Sequence, residues 1–156
     1  MGFTLRRTLL GQTLIFCLSF LLLACSGDGT GPGKELDPLV GAWRAKVLLM
    51  TNKANPTIQV DLVQQGATFT LSILSTGQYS ASLSAFGVSN TEVGNVTVAG
   101  NHVTIAPTSP EGPSLVATWS FQGSTLILDG DSEFDFNQDG IPEASIAHIE
   151  LDPLDS

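Results

Sequence analysis

The sequence predicts an all-β fold: an antiparallel up-and-down meander, closed as a barrel or, alternatively, folded as a β-sandwich. Beyond Leu39, apolar residues alternate with Ser and Thr at period two, which is typical of strands with one buried and one solvated face. Gly or Pro interrupts this pattern about every dozen residues, as expected for short strands joined by turns. No window holds a convincing helical stripe, so the predicted class is all-β.

The first 24 residues have the three parts of an export signal. Arg6 and Arg7 form a cationic start, residues 9–23 form an apolar segment, and the small residue Ala24 precedes Cys25. The apolar segment is shorter than the roughly 20 residues that a membrane-spanning helix needs. The sequence therefore predicts a signal peptide over residues 1–24 that is removed during secretion.

The four residues from Leu22 to Cys25 resemble the lipobox of bacterial lipoproteins, in which an apolar pair and a small residue precede an obligatory Cys. The resemblance implies diacylglycerol on the Cys25 sulfur, cleavage before Cys25, and acylation of the new N-terminus by a chain such as palmitate. Two or three acyl chains anchor a protein stably, since each buried methylene contributes about 0.8 kcal/mol. Ser26, where Asp would retain a lipoprotein at the inner membrane, implies the outer membrane. An ordinary secretory signal is the alternative.

Residues 25–38 are predicted to be the lipidated Cys and a flexible Gly-rich linker, and residues 39–156 one β domain. Removing residues 1–24 leaves four basic residues against fifteen acids, a net charge near −11. No Lys or Arg follows Lys53, which argues against nucleic acid as a partner. An anionic membrane surface would repel such a domain, so the lipid must carry the attachment. Cys17 lies in the signal peptide, and the domain therefore has no disulfide.

Ten candidate strands follow from the alternation. They cover residues 41–50, 56–65, 67–74, 77–86, 92–99, 102–107, 115–122, 124–129, 131–136 and 143–151. A weak internal repeat relates residues 95–105 to residues 118–128 and places Gly100-Asn101 and Gly123-Ser124 at equivalent positions. Both dipeptides predict two-residue hairpin turns with positive φ at the Gly.

Gly41 and Trp43 open the first candidate strand in the pattern Gly-x-Trp. Together with the succession of strands over residues 39–151, this pattern resembles bacterial lipocalin-like lipoproteins. The resemblance implies a lipocalin-like barrel in which Trp43 lies across the closed end. It also implies a binding module for a small apolar ligand or for an envelope partner. Ordinary core packing of Trp43 is the alternative.

The stretch from Asp135 to Glu143 places oxygen-bearing side chains at loop positions 1, 3, 5 and 9. The predicted ligands are Asp135, Asn137, Asp139, the carbonyl of Ile141, and Glu143. Ca²⁺ prefers such oxygen ligands, and Gly140 permits the tight reversal. The stretch resembles the calcium loops of thrombospondin type 3 repeats, which implies a structural Ca²⁺. An acidic hairpin turn without a metal is the alternative.

No pattern in the sequence indicates catalysis. His102 and His148 are the only histidines, and the Ser residues lack a Gly-x-Ser-x-Gly context. We therefore expect a non-enzymatic protein, tethered to the outer membrane by lipid. A calcium-stabilised structural or adhesion module without a small ligand is the second hypothesis.

Overall fold

The computed structural model describes residues 32–154; the predicted signal peptide, Cys25 and the first part of the linker lie outside the described residues. This part of the chain begins with helix α1 (Pro32–Leu36) and a 3-10 turn (Asp37–Leu39). Nine strands follow: β1 (Gly41–Asn52), β2 (Gln59–Asp61), β3 (Thr68–Ile73), β4 (Gln78–Ala85), β5 (Val88–Ala99), β6 (His102–Ser109), β7 (Leu115–Gln122), β8 (Thr125–Phe134) and β9 (Glu143–Pro153).

Eight of these strands form a closed antiparallel barrel. β3 to β9 pair with their neighbours in chain order, and β1 closes the sheet by pairing with both β3 and β9. Closure satisfies the backbone groups that an open sheet would leave at its edges. The predicted all-β up-and-down barrel is therefore confirmed and is consistent with a lipocalin-like barrel, whereas the alternative β-sandwich is wrong.

β1 changes neighbours halfway along its length. Residues Gly41–Arg44 pair with β3, and residues Leu49–Thr51 pair with the short strand β2 instead. A bulge at Lys46 shifts the alternation, so that Trp43 and Ala45 point inward before it and Leu48 after it. β2 and the turn after it thus cover the gap between β1 and β3.

The two predicted hairpin turns are confirmed. Ala99 pairs with His102, and Gln122 pairs with Thr125, which leaves Gly100-Asn101 and Gly123-Ser124 as two-residue loops. Gly100 has φ +60° and Gly123 has φ +64°, a backbone conformation that favours glycine.

Three of the candidate strands differ in extent from the strands of the structure. Residues 56–65 contribute only three residues to a strand, because the Asp61 carboxylate accepts hydrogen bonds from the backbone N–H groups of Val63 and Gln64 and bends the chain into a turn. The candidates at 124–129 and 131–136 are one strand, β8, which continues through Gly130. A Cβ atom at Gly130 would lie 3.0 Å from the Ala117 Cβ atom on β7, so glycine here allows close approach of two strands without a break.

The folded domain begins earlier than predicted. Residues 32–38, expected to belong to the flexible linker, form α1 and most of the 3-10 turn. Leu36 and Leu39 are buried against the barrel interior, and this apolar contact orders a segment whose Gly and Pro content predicts flexibility. Neither helical segment within residues 32–154 is long and apolar enough to cross a membrane.

The two ends of the barrel differ. We call the end that carries α1, the 3-10 turn and the two Gly-containing hairpin turns the closed end. We call the opposite end, which carries the β4–β5 turn, residues 110–114 and the loop of residues 135–142, the mouth. The larger group of buried apolar side chains fills the closed half of the barrel: Leu36, Leu39, Trp43, Leu71, Tyr79, Val96, Val103, Leu126 and Leu151, among others.

Candidate functional site

A cavity of about 880 Å³ lies in the mouth half of the barrel. All eight barrel strands contribute to its wall, and the side chains that line it are mainly apolar: Leu48, Met50, Phe69, Leu71, Leu83, Ile105, Leu128 and Ile149. A smaller cavity of about 290 Å³ adjoins it and shares Phe69, Leu83 and Glu92 in its wall. The interior is thus packed at one end of the barrel and open at the other.

A row of small residues explains why the cavity is there. Ala117 on β7 pairs with Gly130 on β8, which in turn pairs with Ala147 on β9. All three line the cavity, as does Ala81 across the barrel on β4. Because side chains of a small barrel normally fill its interior, a row of residues with little or no side chain leaves unfilled volume at that level.

Gly41 and Trp43, the predicted barrel-closing residues, lie at the closed end. Trp43 is buried, and its Nε1 atom donates a hydrogen bond to the Leu39 carbonyl at 3.0 Å. Its ring centroid lies 6.0 Å from that of Phe121, which packs edge-on against Trp119. Gly41 has φ +148°, and a Cβ atom there would lie 3.7 Å from the Trp43 ring. The Trp43 indole therefore links the 3-10 turn to the closed end of the barrel.

A polar pair lies in the wall of the cavity. The Tyr79 hydroxyl donates a hydrogen bond to Glu92 Oε1 at 3.0 Å. Burial, assisted by this hydrogen bond, raises the pKa of Tyr79 above its ordinary value, so the phenol remains a donor. The ring fits because residue 94 is glycine. A Cβ atom there would lie 2.7 Å from the Tyr79 ring and 2.1 Å from the Ala106 carbonyl oxygen, at a bulge between β5 and β6.

The rim of the cavity is acidic. Lys53, Glu111, Asp131 and Glu133 line it, in addition to Glu92 deeper in the wall. Lys53 Nζ lies 2.7 Å from Asp131 Oδ1 and is the only basic residue in the wall of this cavity. The carboxylates of Asp131 and Glu133 point away from the barrel interior, because these residues alternate along β8 with the inward-facing Gly130, Ser132 and Phe134, whereas Glu92 on β5 faces inward.

The five predicted calcium ligands lie in the loop between β8 and β9, at the mouth. The Asp135 carboxylate accepts hydrogen bonds from the backbone N–H groups of Asp139 (3.2 Å) and Gly140 (2.8 Å). Asn137 and Asp139 are hydrogen-bonded to each other, and Asp139 Oδ1 accepts a hydrogen bond from the Ile141 N–H at 2.8 Å. These contacts fold the loop backbone around the Asp135 carboxylate and join the side chains of Asn137 and Asp139.

Glu143, at the start of β9, accepts a hydrogen bond from the Phe136 N–H at 2.9 Å. Gln138 at φ +60° and Gly140 at φ +87° reverse the chain between the two strands. Within residues 32–154, the structure holds no group of three or more His, Cys, Asp or Glu side chains in metal-binding geometry. The loop offers amide and carbonyl oxygens besides carboxylates, which are donors that suit Ca²⁺, and the calcium site stays a prediction.

A second charged group lies on the outer face of β1, β8 and β9. His148 Nδ1 lies 2.6 Å from Asp129 Oδ1, and its Nε2 lies 3.4 Å from Glu150 Oε1. Partial burial alone would lower the pKa of His148, but the hydrogen bonds to Asp129 and Glu150 outweigh it and raise this pKa. His148 faces the same way as Glu150, because residues two apart on a strand share a face.

Lys46, at the bulge in β1, extends this outer group. Its Nζ donates to Thr125 Oγ1 at 2.9 Å and lies 3.4 Å from carboxylate oxygens of both Glu150 and Asp152. Thr125 Oγ1 in turn donates to Asp152 at 2.7 Å, and this bond, with the help of Lys46, lowers the pKa of Asp152. The group joins three strands and lies outside the cavity.

A comparison with known protein families and with curated proteins finds no family model that matches this chain and no curated protein that matches it. The function must therefore be argued from the site itself.

Glu92 and Glu111 were not among the site residues predicted from the sequence. A signal for Glu92 was present, because it is in phase at period two with Gly94, Val96 and Val98 on the inward face of β5. A carboxylate on the buried face of a strand is uncommon and marks a candidate site. The pairing of Lys53 with Asp131 had no such signal, since 78 residues separate them in the chain.

Proposed function

We propose that this protein is a non-catalytic, lipid-anchored lipoprotein of the bacterial outer membrane whose barrel binds a small, mainly apolar ligand. The cavity of about 880 Å³ carries this proposal. Small-molecule sites have volumes of roughly 300–1,000 Å³ and combine apolar walls with a few polar groups. This cavity has that size, that apolar wall, and one hydrogen-bonded polar pair, Tyr79 and Glu92.

The position of α1 at the closed end supports an orientation of the anchored protein relative to the membrane. α1 packs at the closed end, and only residues 26–31 separate Cys25 from it. Six residues reach at most about 20 Å when fully extended. A diacylglycerol on Cys25 would therefore hold the closed end near the bilayer and direct the mouth away from it. A ligand would then exchange with the aqueous compartment.

Ligand binding is tested by filling the cavity. Ile105→Trp adds volume to the cavity wall, and Val116→Trp on the outer face of the neighbouring strand is the matched control. Native mass spectrometry of the protein extracted from its own envelope should find a lipophilic molecule bound to the parent and to Val116→Trp, and none bound to Ile105→Trp. A parent protein that carries no small molecule, and that binds none of a panel of apolar probes, would overturn the proposal.

The anchor is tested separately. Cys25→Ser removes the sulfur that would receive the diacylglycerol, so the protein should move from the membrane fraction to the soluble fraction. A Cys17→Ser variant is the control, because that residue precedes the predicted cleavage position and should not affect sedimentation. Mass analysis that finds residue 25 unmodified in the membrane-bound protein would contradict the assignment.

We further propose that the β8–β9 loop binds a structural Ca²⁺ through Asp135, Asn137, Asp139, Glu143 and the Ile141 carbonyl. The hydrogen bonds that fold the loop backbone around the Asp135 carboxylate and join the side chains of Asn137 and Asp139 support this proposal. An ion there would stabilise the mouth by mass action. Millimolar calcium should raise the melting temperature of the parent but not of Asp135→Asn, and equal melting curves of the parent with calcium and with chelator would contradict it.

A further inference from the structure

The charge of the cavity wall points to one class of ligand, and this inference rests on the proposed ligand-binding function. We propose that the barrel selects amphiphilic amines: molecules with an apolar body and a protonated amino group, with the ammonium on Glu92. Fatty acids and other apolar anions are excluded by the same charges.

Glu92 is placed to receive a cation. It faces the barrel interior in phase with Gly94 and Val96, is half-buried, and borders both cavities. One of its oxygens accepts the Tyr79 hydroxyl, which fixes the carboxylate against the wall. Within residues 32–154, no Lys, Arg or His lies within ion-pair distance of Glu92. A half-buried carboxylate without a cationic partner gains most from a ligand that supplies one.

The apolar body of such a ligand would lie in the part of the cavity opposite the Glu92 carboxylate. β4 and β5 stand across the barrel from β8 and β9, where the row of Ala117, Gly130 and Ala147 leaves the cavity widest. Leu128 and Ile149 line the wall beside that row. An alkyl or ring system that extends from Glu92 across the barrel would therefore contact apolar side chains along its length.

The charged residues at the rim favour the same class of ligand. Glu111 and Glu133 are carboxylates without a cationic partner among the described residues, whereas Lys53 is already paired with Asp131. A ligand carboxylate would bring a second negative charge toward the half-buried Glu92, and Lys53, the basic residue of the cavity wall among residues 32–154, is already paired with Asp131. A ligand ammonium would be attracted both at the rim and at Glu92.

Three probes with the same ten-carbon chain test this selectivity: decylamine, decanol and decanoic acid. Their affinities for the full-length Cys25→Ser protein, in which no lipid anchor requires detergent, are measured by calorimetry at neutral pH. Decylamine should bind at least about tenfold more tightly than decanoic acid, since a hydrogen bond to a charged group is worth a factor of this size. Decanol should lie between the two, and measuring this order in the protein with Glu92 present requires no substitution in the cavity.

Glu92→Gln keeps the acceptor for Tyr79 but removes the charge. It should abolish the preference for decylamine and leave the affinity for decanol unchanged. Glu35→Gln is the matched control, because Glu35 lies on α1 at the closed end and its loss changes net charge equally. Decanoic acid binding as tightly as decylamine, or equal effects of the two Glu→Gln changes, would overturn the inference while ligand binding stands. Absence of binding by decanol and by both charged probes would overturn the proposed function as well.

Discussion

The closed end and the mouth of the barrel are built from the same eight strands, yet they differ in filling, in charge and in the loops that join the strands. At the closed end, large side chains meet beneath α1, and two-residue turns connect β5 to β6 and β7 to β8. At the mouth, small residues line the wall, carboxylates surround the opening, and longer segments join β6 to β7 and β8 to β9, although the β4–β5 turn has only two residues. The contrast places the tightest packing at one end of the molecule and the proposed binding cavity at the other.

The largest expected loss of stability comes from removing the buried Trp43 side chain at the closed end. Trp43→Ala should lower the free energy of unfolding by about 3–5 kcal/mol, the usual cost of deleting a large buried aromatic side chain. Leu83→Ala, at the half-buried wall of the mouth, should cost about 1 kcal/mol, because that side chain already borders a cavity. Urea denaturation of both variants measures the difference. Equal costs would show that the two ends contribute alike to stability.

A smaller effect is expected where β5 passes close to Tyr79. In Gly94→Ala the new methyl group would meet the Ala106 carbonyl oxygen and the Tyr79 ring, so stability should fall by about 1–3 kcal/mol. Gly112→Ala in the mouth segment is the control, because the nearest atoms to its Cβ are ordinary contacts at 3.9 Å from Pro107. Thermal melts of the two variants should separate clearly. Similar melting temperatures would contradict the tight packing inferred for Gly94.

His148, on the outer face of β9, leads to a prediction that stability depends on pH. Because the pKa of His148 is raised in the folded protein, the stabilisation by its protonated ring is complete below the unfolded value of about 6.5 and is lost as pH rises through the folded pKa. His148→Gln should therefore destabilise the protein more at about pH 6 than at about pH 9. His102→Gln, on the exposed end of β6, is the control. A loss that is the same at both pH values would rule out the charged pair with Asp129.

The smallest effect is expected at Ser145, where β9 begins. Its side chain is fully buried, and its hydroxyl has no hydrogen-bond partner among the described residues. Ser145→Ala should therefore leave the free energy of unfolding within about 1 kcal/mol of the parent or raise it, since it removes an unpaired polar group. Thr125→Val tests a buried hydroxyl that is bonded to both Lys46 and Asp152, and it should be the more destabilising of the two. Chemical denaturation that finds Ser145→Ala the worse variant would contradict this assignment.

Local chemistry in the sequence predicted much of the fold. Alternation placed the strands, and Gly100 and Gly123 marked two hairpin turns, because a positive φ at a two-residue turn favours a residue without a side chain. The same logic failed at residues 124–136, where a glycine was taken for a strand break. Gly130 instead accommodates a neighbouring strand, and the sequence does not distinguish these two uses of glycine.

What the sequence by itself determined is the all-β class, the period-two faces of the strands and the acidity of the domain, all of which depend on residues near one another in the chain. Only the tertiary structure decided that the sheet closes, that Leu36 packs at the closed end, and that Ala117, Gly130 and Ala147 align to leave a cavity. It also brought Lys53 to Asp131. These features depend on register between strands far apart in sequence, and register is set by how the whole interior packs.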